Sequence, residues 1–192
     1  MTRTVHPIEV ESYRILRERI DLSHLPPLSR AVAERVIHAA ADLSFGTSLQ
    51  LDEDALQRGR RALRDGAPIY TDARMVAAGI TTRRAIVPLD DARVTTDGTT
   101  TRSAAAMRLA AREAPKNAVW VVGNAPTALQ QLIETPPEDP ALIVGLPVGF
   151  VGAAEAKQAL HASPLPSISN QGERGGSAVA VAAVNALLYF DR

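Results

Sequence analysis

The chain contains no cysteine, which removes disulfides, thiolate nucleophiles, cysteine-ligated zinc and iron–sulfur clusters from consideration. It also lacks net charge. Lys and Arg number 21, and so do Asp and Glu, so no overall field draws the chain to nucleic acid or to an anionic membrane. Aromatic residues make up 4%, too few for a base-stacking platform. No run approaches the roughly 18 apolar residues that a membrane span requires. Met1 to Ile20 carries charges of both signs and no apolar segment, which argues against a secretory leader and for a cytoplasmic protein. What is present is a composition 46% hydrophobic and 22% charged over 192 residues. That is enough for one globular domain, 1–192, burying about 70% of its unfolded surface.

Helix and strand signals alternate. Residues 8–20 read as an amphipathic helix. Ser29 reads as the N-cap of a second helix reaching residue 42, closed by Phe45-Gly46, and Asp52 as the beginning of a third that runs to about residue 65, with Gly66 just past its end. Residues 67–71 and 85–88 read as short strands, with Asp72 capping a short helix between them. A polar loop, 90–101, leads to an Ala-rich helix, 102–113. The runs 118–123 and 141–146 are apolar throughout and predict strands buried on both faces. Helices are expected near 126–134, 152–161 and 175–188, and a short strand at 167–169. Strands joined through helices require crossovers. The expected fold is therefore α/β, a three-layer, doubly wound, mostly parallel sheet of about five strands.

In open α/β sheets ligands bind beyond the carboxyl ends of the strands. Two glycine-bearing segments fall there: 123–127, with Asn124 and Thr127, and 145–152, with Gly149; a third, 172–177, with Arg174, Gly175 and Ser177, opens the last helix. Each leads into a helix, whose N-terminus offers N–H groups and partial positive charge to a carboxylate or phosphate. Each is equally well a tight turn. G-x-G-x-x-G and Walker A spacings are absent, which counts against NAD, FAD and ATP. Arg102 and Ser103 open the helix after the polar loop, where an arginine can clamp a carboxylate through two parallel hydrogen bonds. Asp72 is most simply a cap, and alternatively a hydrogen-bond partner for a ligand or a catalytic side chain.

Among four histidines, His38 stands apart. It lies in an apolar helix between Val36-Ile37 and Ala39-Ala40, with Glu34 and Arg35 one turn earlier. A histidine so placed suits a general acid; on the residues alone, a hydrogen-bonded structural histidine is the simpler reading. No second histidine stands at i+4, so no helical metal site is expected, and Ser103 and Ser177 lack the G-x-S-x-G setting of a hydrolase nucleophile.

An ordered series of segments then carries a resemblance. Glu11-Ser12-Tyr13, Arg35-Val36-Ile37-His38-Ala39, Gly66-Ala67-Pro68-Ile69 with Asp72, Thr101-Arg102-Ser103-Ala104-Ala105, Gly123-Asn124-Ala125-Pro126-Thr127, Gly145-Leu146-Pro147-Val148-Gly149-Phe150-Val151-Gly152 and Arg174-Gly175-Gly176-Ser177 together resemble the precorrin-8X methylmutase family of cobalamin biosynthesis. The resemblance covers nearly the whole chain. It implies a flavodoxin-like architecture and a cofactor-free isomerase. The reaction implied is a 1,5-sigmatropic shift moving a methyl group from C11 to C12 of a corrin precursor, giving hydrogenobyrinic acid or its cobalt counterpart. It further implies a corrinoid small-molecule substrate and a homodimer. The catalytic histidine of the family falls on His38, as proton donor and acceptor, and substrate contacts fall on Ser12 and Arg35. Asp72, Arg102, Ser103, Asn124, Thr127, Gly149, Arg174, Gly175 and Ser177 complete the candidate substrate-binding set on chemical grounds, since a macrocycle rich in carboxylate arms needs N–H donors and arginines around an apolar floor. The chain departs from the family pattern at Thr100, where Asn is frequent, and at Ala39-Ala40-Ala41, where Gly is frequent after the histidine. A flavodoxin-like binder of a phosphate-bearing cofactor and a non-catalytic corrinoid carrier are the alternatives.

Overall fold

The continuous apolar runs become the centre of a parallel sheet. In the computed structural model, which describes residues 6–96 and 98–190, β3 (Val119–Val122) and β4 (Leu142–Gly145) are buried at every residue. β2 (Ile69–Thr71) and β5 (Ser167–Asn170) flank them in parallel, and β1 (Leu49–Gln50) pairs antiparallel with β5, giving the order β1-β5-β4-β3-β2.

The four parallel strands follow one another in chain order across the sheet. Right-handed crossovers that always step the same way leave their helices on one face. Accordingly α6 (Arg102–Glu113), α7 (Pro126–Glu134) and α8 (Ala153–Ala162) pack over Trp120, Val122 and Ile143. The alternate strand residues Val119, Val121, Leu142, Val144 and Ile168 face the other way. Helices from both ends of the chain cover that second face: α2 (Pro27–Ala40), α4 (Glu53–Arg64) and α9 (Ser177–Tyr189). α1 (Pro7–Arg19) lies on α2, and α5 (Arg74–Gly79) lies against α9. The result is the expected three-layer α/β arrangement with a mostly parallel five-stranded sheet. Among the described residues no helix is long and apolar enough to cross a membrane.

Several local expectations differ from what is observed. The run 85–88 is not a strand: Ile86 alone bridges to Tyr70, because Pro88, which lacks an N–H, starts a 3-10 turn at once. The fifth strand is β1, whose two residues are too few to show a period. Phe45–Ser48 forms a short helix, α3, rather than a stop. α2 begins at Pro27, a favoured first helical residue. Ser29 is therefore inside the first turn, and its N–H and Oγ both donate to the Glu53 carboxylate (2.8 and 2.7 Å), so the cap is supplied by another helix. Asp72 does not cap α5; Ala73 occupies that position without a side-chain bond.

Candidate active site

A cavity of about 600 Å³ opens between the end of α2, α5 and the start of α9. Its walls are mostly small or apolar, including Ala39, Met75, Val181 and Ala182, and Arg35, His38 and Ser177 bring polar groups to them. His38 is exposed at this opening rather than buried. Its ring is nonetheless fixed. Ser12 Oγ lies 2.8 Å from Nδ1, and the Tyr13 ring stacks on the imidazole at 4.9 Å with 13° between planes. Both come from α1, so the docking of α1 on α2 orients the ring. Arg35, one turn back, lies 5.0 Å over the Tyr189 ring. Glu34 turns to the other side, where Arg17 grips it through two bonds (2.9 and 2.7 Å). α2 ends on Ala41 in a left-handed conformation (φ 51°), a place where Gly would avoid a cost of about 1 kcal/mol.

The glycine segments close on one another. The turn after β3, a candidate carboxylate site and equally a tight turn, already holds a carboxylate from the protein: Asp72, almost fully buried, accepts from the N–H groups of Gly123 (3.0 Å), Asn124 (2.8 Å) and Ala125 (2.6 Å). Burial pushes the Asp72 carboxyl above its ordinary range, against the downward pull of these donors. Gly123 carries no Cβ for a steric reason, since one would stand 2.8 Å from Ala180 Cβ and 3.0 Å from Ser177 Cα; its bareness lets the start of α9 press on the end of β3. The loops after β4 and β5 are joined by bonds from the Gly149 N–H to the Glu173 carbonyl (3.1 Å) and from the Gly176 N–H to the Leu146 carbonyl (2.8 Å). Arg174 pairs with Asp42 (2.6 Å) and bonds Ser44, beyond the end of α2.

Of the residues singled out in the sequence, Arg35, His38 and Ser177 line the cavity and Ser12 joins them through His38. Asp72, Gly149, Arg174 and Gly175 frame the loops around it and are not among its walls. Arg102, Ser103, Asn124 and Thr127 do not line it either. They mark the starts of α6 and α7, which are tied together where Thr101 Oγ1 meets Thr127 Oγ1 (2.7 Å). Three residues escaped the sequence reading. Tyr13 stacks on His38. Asn185 lines the cavity and donates to the Gly79 carbonyl (3.0 Å), with its Oδ1 buried and unpaired among the described residues. Lys157 is wholly buried under the glycine loops, whereas a lysine in an amphipathic helix ordinarily signals the solvent side.

A family profile for precorrin-8X methylmutase matches residues 7–190. The cobalt-precorrin-8 methylmutase of Salmonella typhimurium is 42% identical, across 96% of this chain and 95% of its own length. The precorrin-8X methylmutase of Pseudomonas aeruginosa is 43% identical, across 92% of this chain and 91% of its own. In structure the chain is similar to the precorrin-8X methyl mutase of Thermus thermophilus, with a TM-score of 0.86 and 36% identity over 95% of this chain and 96% of that one. The chain belongs to the precorrin-8X methylmutase family and is an isomerase of that kind.

Proposed function

We propose that the chain isomerises precorrin-8X, or its cobalt form, by moving a methyl group from C11 to C12 in a 1,5-sigmatropic shift, with hydrogenobyrinic acid or the cobalt equivalent as product. The observation that carries this reading is the His38 imidazole, oriented by Ser12 and Tyr13 on the wall of a largely apolar cavity. With Nδ1 engaged by Ser12, Nε2 is the nitrogen that exchanges a proton with the ligand. His38 gives a proton to the conjugated macrocycle, the methyl group migrates, and His38 takes the proton back. Atoms and charge balance, as an isomerisation requires. A ring already held in one orientation needs no rearrangement at the moment of transfer, and the apolar walls limit competing water. Arg35 is placed to pair with a carboxylate arm on the same face of the ligand.

The enzyme works as a homodimer in the cytoplasm on this reading. Phe150 and Val151, at the tip of the loop after β4, are 90% and 88% exposed, and apolar side chains held so far out favour an association that covers them. The names of the relatives divide between the cobalt and the metal-free substrate, and both remain within the proposal. The test is His38→Ala assayed by the absorbance change of precorrin-8X. Turnover is expected to vanish while hydrogenobyrinic acid still binds. A variant that turns over at the wild-type rate would overturn the role of His38, and a wild-type protein that binds the product without converting precorrin-8X would be a carrier.

A further inference from the structure

Lys157, on α8, places a cationic side chain where solvent does not reach. Its ammonium donates to Asn170 Oδ1 (3.1 Å) and to the Arg174 carbonyl (2.6 Å). Neither acceptor is a carboxylate. Asn170, fully buried at the end of β5, donates to the Gln171 carbonyl (3.0 Å) and to the same Arg174 carbonyl (2.9 Å). The Arg174 backbone is thus gripped twice from below, while its guanidinium reaches outward to Asp42 and Ser44. Asp42 follows His38 by four residues, and Ser177 follows Arg174 by three.

We propose that Lys157 is a positioning residue for the cavity: the hydrogen bonds of its Nζ anchor the 171–176 loop from beneath, and through Arg174 that loop ties the start of α9 to the end of α2, the two walls that carry Ser177 and His38. The proposal rests on the isomerase reading only for the identity of the ligand.

An ammonium held by neutral oxygens has given up its water. Burial brings its pKa down from 10.5 to about 8, while Glu173 on the loop above pulls it upward. Glu155 and His161 on α8 itself are exposed. The adjoining α7 brings only Glu134, exposed and hydrogen-bonded to Gln130 (3.0 Å). Opening the loop rehydrates the ammonium and returns its pKa towards 10.5. The open form therefore binds the proton more tightly, so protonation favours opening, and opening is progressively suppressed as the pH climbs from 8 towards 10.5. Between pH 7 and pH 9 these two values make the opening equilibrium fall about tenfold. An anchor without a titrating charge gives no such step.

Amide hydrogen exchange on the ligand-free full chain, corrected for intrinsic rates, tests this. Protection over 171–178 is expected to rise about tenfold from pH 7 to pH 9, with the amides of 42–48 following. The step is expected to disappear in Lys157→Met and to persist in Lys116→Met, a change at an exposed lysine paired with Glu138 (2.7 Å). Three results would each overturn the proposal: no step in the wild type, a step that survives Lys157→Met, or a step in the loop that 42–48 does not share. The wild-type comparison requires no variant to fold. Titration with hydrogenobyrinic acid, followed by visible absorbance, forms the second arm. Lys157→Met is expected to weaken binding roughly three- to tenfold, the scale of losing one ordinary hydrogen bond, and unchanged binding overturns the positioning role. Failure of the wild-type protein to bind this ligand would instead sink the isomerase reading and leave the exchange result standing.

Discussion

Replacing Gly175 by alanine probes how the loops after β4 and β5 are joined. A Cβ there would stand 2.4 Å from the Leu146 carbonyl oxygen and 2.5 Å from that of Pro147, roughly 1 Å inside an ordinary carbon–oxygen approach. Both atoms are backbone, so no side chain can swing aside. The loops must part, stretching the bonds from the Gly176 N–H to Leu146 and from the Gly149 N–H to Glu173. Two hydrogen bonds at about 1 kcal/mol each, with about 1–2 kcal/mol of overpacking strain, give a loss of roughly 3–4 kcal/mol. At roughly 2–4 °C per kcal/mol for a chain of this size, the melting temperature is expected to drop by about 6–16 °C. Gly172→Ala is the companion measurement. Gly172 has φ +79° and nothing within 4 Å of the added carbon, so only the left-handed cost of about 1 kcal/mol applies. If both variants melt within about 2 °C of each other by calorimetry, close approach is not what joins the loops and the reasoning fails.

Ser12→Ala removes the oxygen that orients His38 and is expected to lower turnover of precorrin-8X about tenfold with little change in KM; an equal loss in kcat and gain in KM would point to damaged binding instead. Asp72→Asn leaves one acceptor oxygen for three N–H groups and turns an NH2 donor towards them. Even after relief from burying a charge, urea unfolding is expected to show a loss of about 2–4 kcal/mol, and a variant as stable as the wild type would show that the turn after β3 holds itself.

The legible parts of the fold were those with repeated signals. β3 and β4 announced themselves as apolar runs, and proline and glycine punctuation bounded most helices. β1 was illegible because two residues have no period, and 85–88 misled because an apolar tetrapeptide ending in proline looks like a strand until the missing N–H is counted. Ser29 and Asp72 each had the chemistry of a local cap, yet Ser29 serves Glu53 24 residues on and Asp72 serves a turn 51 residues on. Sequence shows a capping residue but not which helix or turn it meets. The same limit hid Lys157, whose burial is decided by where β5 and the last loop fall. His38 and Arg35 were readable as one helical face with Ser177 unplaced, and only α9 packing on α2 brings the three together.

The crossover helices of the sheet come from the middle of the chain, whereas the face bearing the hollow is assembled from α2, near one end of the sequence, and α9, near the other. During synthesis the strands and their three-helix backing can settle first, but the second wall of the hollow does not exist until Ser177–Tyr189 has emerged and docked. A nascent chain therefore presents the imidazole of His38 with only Met75 and Gly79 of α5 lining the hollow beside it and no α9 wall, and the hollow is completed in one late step rather than growing with chain length.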